Sequence, residues 1–324
     1  MPSYELNSHG AEVSRIQTAL RALGLYTGPV DADFGGGTLA AVKAFQRSSG
    51  LPVDGVVGPD TWAALLPGSA IPSPAILEQP LPYRCLALTG SFETDTGPPD
   101  CFAGLAGDFD HQGMSFGALQ WNFGQGTLQP LLTEMIQTYP LVLQQIFDEY
   151  YPELQAKLGA DREEQLAWAR SIQVPPWRHL LEPWQGYFKT LGRRPECQDL
   201  ELKYAQRYYD QGLALCAAFD VHSERAVALM FDISVQNGGV KEPVTTRIKR
   251  DFATLDSGLG GDDLEVAKLR IIANRRAEAA SRRWVEDVRA RKLTIANGEG
   301  TVHGRRYELA TQYGIRLTQA APPG

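Results

Sequence analysis

Apolar positions fall into two regimes along this chain. From residue 10 to 65 they come in short helical runs separated by turn-rich loops. Val13, Ile16, Gln17, Leu20, Leu23 and Leu25 keep helical spacing, and Gly24 closes that run as a C-cap would. Gly28-Pro29-Val30-Asp31-Ala32-Asp33-Phe34-Gly35 reads as a loop. Thr38 reads as the N-cap of a second helix carrying Ala41, Val42, Phe45 and Gln46. Gly50-Leu51-Pro52-Val53-Asp54-Gly55-Val56-Val57-Gly58-Pro59-Asp60-Thr61-Trp62 then repeats the loop-then-helix order. Val30-Asp31 pairs with Val53-Asp54-Gly55, and Phe34-Gly35 with Val57-Gly58, so the segment is a repeated half-module.

A proline- and serine-rich stretch follows and reads as a semi-stiff linker. Beyond it the patterns are mainly helical. Leu128–Tyr139, Leu141–Tyr151, Glu201–Phe219 and Glu224–Val235 carry apolar residues at three- and four-residue intervals, and Leu264–Lys292 is the longest such pattern. Strand signals are confined to residues 113–123 and the segment around Ile295–Val302. The expected fold class is mainly α (α+β). A three-helix domain covers residues 1–66, a linker 67–80, and a helical domain with a small β-hairpin sheet 81–324.

With 324 residues, 43% apolar and 21% charged, the chain can bury two cores. Its net charge of −7 argues against general nucleic-acid binding, and no apolar run is long enough for membrane insertion. Met1-Pro2-Ser3-Tyr4-Glu5-Leu6 carries neither a basic nor a hydrophobic leader region, so synthesis in the cytoplasm without a signal peptide is expected. The four cysteines form no CxxC pair and the five histidines show no ligand spacing, so neither cofactor nor metal is expected. Reduced, buried thiols are the expectation, while Cys85 and Cys101 bracket Glu93 and leave a local disulfide open.

The chemistry concentrates between residues 83 and 123. Tyr83, Leu86, Ala87, Leu88 and Phe92 form an apolar helical approach to Glu93, a setting in which desolvation keeps a carboxyl protonated. Asp110 lies among glycine, glutamine and histidine, a polar setting that keeps it charged. Two carboxyls so differentiated are the apparatus of glycosidic bond cleavage. The stretch Gly113-Met114-Ser115-Phe116-Gly117-Ala118-Leu119-Gln120-Trp121-Asn122 lets sugar rings approach the backbone, with Trp121 and Phe123 as stacking faces. Asp95 and Asp108 are rival second carboxylates. Gln236 and Asn237 end a helix before Gly238 and could hydrogen-bond sugar hydroxyls or acetamido groups. Trp177, Trp184 and Tyr187 are sugar platforms or core. Arg270, Arg275, Arg276, Arg282, Arg283, Arg289, Arg291 and Lys292 give the late helix a basic excess, read as a solvated face or an attraction for anionic peptide stems.

On the residues quoted, the first module resembles the small three-helix peptidoglycan-binding domain of cell-wall hydrolases. It departs at Gly35-Gly36-Gly37, where that family tends to have a polar residue. The second domain resembles the lysozyme superfamily, most closely the family-46 chitosanases, through Glu93 and Asp110-His111-Gln112-Gly113-Met114-Ser115-Phe116-Gly117. Gly117-Ala118-Leu119-Gln120 is also similar to the Gly-x-x-Gln hairpin of lytic transglycosylases. The resemblance implies Glu93 as general acid, Asp110 as the base activating water, and Ser115 as the group holding that water. Gln120, Trp121, Asn122, Gln236 and Asn237 are then the substrate-binding set.

The expected activity is a lysozyme-like hydrolase of peptidoglycan glycan strands, acting with inversion. A lytic transglycosylase, a chitosanase and a non-catalytic wall-binding protein are the alternatives. The expected partner is peptidoglycan, met by a monomer acting on the cell wall. An endolysin released by a holin, or a bacteriolytic effector with an immunity protein, fits equally.

Overall fold

The computed structural model describes residues 3–6, 8–109, 111–176 and 179–320. The first three helices are α1 (Ala11–Ala22), α2 (Gly36–Ser48) and α3 (Pro59–Leu65). The repeat seen in sequence is a repeated hydrogen-bond device. Gln17 on α1 donates to Asp31 Oδ1 (2.8 Å), the Asp33 carbonyl (2.8 Å) and Thr38 Oγ1 (3.2 Å). Gln46 on α2 donates to Asp54 Oδ1 (2.7 Å), the Val56 carbonyl (3.0 Å) and Thr61 Oγ1 (3.2 Å). Each glutamine is buried and satisfied by its own loop, as a buried amide must be.

The helix ends repeat as well. Gly24 and Gly50 both take positive φ, and the leucine after each donates to the carbonyl five residues back, Leu25 to Leu20 and Leu51 to Gln46, both 2.9 Å. Thr38 corrects one expectation: α2 is capped at Gly35, and Thr38 lies in its first turn, where it serves Gln17. Trp62 and Tyr4, with ring centroids 5.8 Å apart, close the core over Val13, Ile16, Phe34 and Val57. Trp62 Nε1 donates to the Ser69 carbonyl (3.1 Å) and Tyr4 to the Pro72 carbonyl (2.9 Å), so the start of the proline- and serine-rich stretch is held against the first module.

The chain forms two compact units, residues 85–211 and residues 1–84 with 212–324. Both boundaries fall inside helices, α4 (Leu81–Thr94) and α10 (Pro195–Phe219). Within 85–211, a three-stranded antiparallel sheet runs in the order β1 (Leu105–Ala106), β2 (Ser115–Phe116), β3 (Trp121–Asn122). Then come α5 (Leu128–Thr138), α6 (Pro140–Phe147), α7 (Tyr151–Leu158), α8 (Arg162–Ser171), the pair β4 (Gln173–Val174) and β5 (His179–Leu180), and α9 (Trp184–Gly192). Their shared core is aromatic: Phe123 meets Trp168 edge-on at 5.8 Å, Trp168 meets Trp184 at 5.2 Å, and Phe147 meets Phe188 at 5.4 Å.

The later part of the other unit holds α11 (Glu224–Asn237), α12 (Val244–Phe252), α13 (Gly261–Glu278), α14 (Val285–Asn297), the hairpin β6 (Glu299–Val302) to β7 (Arg305–Glu308), and α15 (Leu309–Gln312). The single long pattern over 264–292 is thus two helices, broken where Ser281 takes an extended backbone. The strand signal at Ile295 is also corrected, since α14 runs to Asn297 and β6 begins at Glu299. The fold is mainly α with small antiparallel sheets. No helix among the described residues is long and apolar enough to cross a membrane.

Candidate active site

Helix α4 buries Leu86, Leu88, Ser91 and Phe92 and leaves Glu93 exposed in its last turn. The expected apolar approach is therefore real, since α4 is buried all round from Cys85 to Phe92, but the burial stops one residue short of Glu93. A Cβ on Gly90 would stand 2.8 Å from the Cβ of Ala118, so glycine is what lets α4 lie against the turn after β2. A Cβ on Gly104 would meet Thr94 Cγ2 and, at 2.9 Å, Gln120 Nε2. Gln120 is thereby brought to the end of α4 that carries Glu93. Its φ of +53° and its bond from Nε2 to the Gly117 carbonyl (2.9 Å) fix it in the tight 117–120 turn.

That turn has a second support which the sequence reading missed. Glu201, fully buried on α10, accepts from the Ala118 N–H at 2.8 Å, and the Cys197 thiol lies 3.9 Å from its other oxygen. Burial pushes the Glu201 carboxyl well above its usual range, although the Ala118 bond pulls the other way. Glu201 is thus a desolvated carboxyl of this unit, whereas Glu93 is exposed. Its signal was present: a glutamate on the same stripe as Cys197, Leu200 and Ala205, all buried.

Ser115 is buried on β2, paired with Ala106 on one side and Asn122 on the other. Asp108 is 3% exposed and fully committed: its carboxylate takes the Gly113 N–H (2.6 Å) and the Arg170 guanidinium, while its own N–H donates to Gln173 Oε1 (2.9 Å). It ties down the loop before β2 and is not exposed to a substrate. Asp110 lies outside the described residues. Its neighbours Phe109 and His111 are both exposed, Phe109 at 68%.

The expected stacking faces are corrected. Trp121 on β3, Phe123 just after it and Trp184 on α9 are all buried in the aromatic core. Trp177 lies outside the described residues. Asn122 is buried too, and its Oδ1 accepts from the Gln125 N–H (2.8 Å), which closes the loop into α5. Of the three hairpin residues expected to bind sugar, Gln120 alone is part-exposed.

In the other unit, Gln236 and Asn237 sit at the end of α11, with Gly238 in the left-handed conformation after them. Lys292 donates to Gln236 Oε1 at 2.8 Å. The same lysine, with Arg291, clamps the fully buried Asp232 one turn earlier; Arg291 Nη2 reaches it at 2.6 Å. Burial alone would raise that carboxyl, but the two cations outweigh it and hold it well below the usual carboxylate range. Arg291 and Lys292 therefore leave the basic face expected in sequence. Arg275 is paired with Asp251 and Glu278, and Arg289 with Glu286.

In the first module, Leu25, Tyr26, Pro29, Asp31 and Thr38 line a surface cavity of about 490 Å³. The four cysteines are buried and none is in a disulfide. Among the described residues no group of three or more His, Cys, Asp or Glu side chains could hold a metal ion.

Residues 9–65 match the family described as "Putative peptidoglycan binding domain". The chain is 48% identical over 57 residues to a spore cortex-lytic enzyme of Bacillus cereus. It is 44% identical over 57 residues to the N-acetylmuramoyl-L-alanine amidase CwlM of Mycobacterium tuberculosis. Each alignment takes in 18% of this chain, and the chain spans 22% and 14% of the length of those two relatives. Among solved structures, 71% of the chain overlays 96% of a chitosanase from Bacillus subtilis MY002, with a TM-score of 0.45 and 18% identity. For a chitosanase of Gynuella sunshinyii in complex with chitotetraose the overlay takes in 71% of this chain and 97% of that one, with a TM-score of 0.40 and 13% identity.

Proposed function

We propose that this protein binds peptidoglycan through residues 9–65 and cleaves its glycan strands by hydrolysis. Residues 1–66 are then the wall-binding domain, 67–80 the connection, and 81–324 the hydrolytic domain. Glu93 is the general acid, protonating the leaving glycosidic oxygen. Asp110 is the base that takes a proton from the attacking water, and Ser115 holds that water. Water arriving on the face opposite the leaving group inverts the anomeric centre, which needs carboxyls about 6.5–9.5 Å apart.

The observation that carries this reading is the pairing of a wall-binding module with an exposed glutamate at a helix end, against which the Gly117–Gln120 turn is packed. The commitment of Asp108 to Arg170 and Gly113 supports Asp110 as the second carboxylate. A tether to an insoluble polymer raises the local concentration of the catalytic domain without further contacts.

The test is a digest of purified sacculi by wild type, Glu93→Gln and Asp110→Asn, with released fragments read by mass spectrometry. Wild type should release reducing-end muropeptides. Each variant should lose about 10²- to 10⁴-fold in rate, as expected for removing a general acid or base, and should still pellet with the sacculi. Anhydro-ended muropeptides, with Asp110→Asn fully active, would replace hydrolysis by intramolecular attack of the muramyl 6-hydroxyl. Sedimentation with no release by any of the three would leave a wall-binding protein.

A further inference from the structure

The end of α11, Arg276 on α13, residues 279–284 and the first turn of α14 line an open surface cavity of about 430 Å³. Three features mark it. Trp284 is 49% exposed at its rim even with the Arg283 guanidinium 4.7 Å from its ring centroid. Asn237 Oδ1 and Arg276 Nε are buried in its wall with no hydrogen-bond partner in the protein. Gln236, whose Oε1 is taken by Lys292, keeps its NH2 group as a donor. The acidic lining residue, Asp287, is tied to His303 at 2.8 Å.

An exposed indole beside orphaned polar atoms is how proteins hold a sugar ring, apolar on one face and rich in hydrogen-bonding groups at its edge. The polar set here is more selective than that. An acceptor and a donor side by side at the end of α11 match the N–H and C=O of an acetamido group. The Arg276 guanidinium matches a carboxylate and opposes an ammonium. We infer that this cavity is a binding subsite for an N-acetylated amino sugar carrying a carboxylate, the muramyl type of residue. Trp284 stacks on the ring, Asn237 and Gln236 read the acetamido group, and Arg276 reads the carboxylate. This rests on the peptidoglycan reading and names the sugar that one part of the protein selects.

The test uses the full-length chain carrying Glu93→Gln, so that binding is measured without turnover. Titration calorimetry compares a soluble tetrasaccharide of alternating N-acetylglucosamine and N-acetylmuramic acid with N-acetylated chitotetraose and with glucosamine tetramer. Trp284→Ala and Asn237→Ala should weaken the muramyl ligand at least tenfold, and Trp284→Phe should keep most of the affinity. Arg276→Gln should weaken the muramyl ligand alone and leave chitotetraose unchanged. The wall-binding module contributes equally to every variant and cancels in the comparison. Equal affinities across parent and variants, no binding of any saccharide by the parent, or a preference for the glucosamine tetramer would each overturn the inference. Failure of the function reading is separate: it is the absence of product from sacculi digested by the wild type.

Discussion

The buried carboxyl of Glu201 receives the backbone N–H of Ala118, 83 residues away in sequence, at 2.8 Å. This bond anchors the turn that presents Gln120 beside the end of α4. Because the folded carboxyl holds its proton to higher pH than an unfolded one, its contribution is fully present below about pH 4 and lost as pH rises through the folded value. Glu201→Gln, which keeps an acceptor and cannot ionise, should melt at or above wild type, with the gap widening from pH 4.5 to 8. Glu201→Ala leaves the Ala118 N–H unpaired and should cost about 1–3 kcal/mol at either pH. Thermal melts at the two pH values check this, and a Gln variant as damaged as the Ala variant at pH 8 would show that the ionised form is the one required.

Asp232 behaves in the opposite sense. Its carboxyl is depressed by Arg291 and Lys292, so its contribution is present above about pH 4 and lost as pH falls through the folded value. Asp232→Asn leaves two buried cations without a counter-charge and should destabilise by about 3–5 kcal/mol at pH 7. Urea midpoints should fall more for wild type than for the variant between pH 7 and pH 3. Parallel losses in the two proteins would mean that other carboxylates set the acid limit.

Gln46 makes four hydrogen bonds to its loop and the start of α3, three donated by its amide and one accepted from the Gly55 N–H at 2.8 Å. Gln46→Ala should unfold the 50–58 loop and abolish sedimentation with sacculi. Substitution at an exposed position such as Arg47→Ala should leave sedimentation unchanged. Retained binding by Gln46→Ala would show that the repeated network is dispensable for the wall-binding surface.

The thiols offer a check of packing. Burial pushes Cys216 up to about 12 and also raises Cys101 and Cys197. An aromatic disulfide reagent at pH 8 should find no reactive thiol in the native protein and four after denaturation in the absence of reductant. Two thiols after denaturation would establish one disulfide instead, and peptide mapping would show whether it joins Cys85 and Cys101.

Local patterning in the sequence determined the helices of the first module, their glycine ends, the positions of Gln17 and Gln46, the hairpin around Ser115, and the helix carrying Glu93. Each of these depends on residues within a turn or a loop of one another, where spacing and φ preference act directly. Tertiary structure alone decided which polar groups the interior consumes. Asp108 meets Arg170 across 62 residues, Asp232 meets Arg291 across 59, and Trp121 is buried in the aromatic core. Desolvation is a property of the surroundings that distant segments supply, so an apolar run before Glu93 did not predict its exposure, and a glutamate in the middle of α10 became a buried acid.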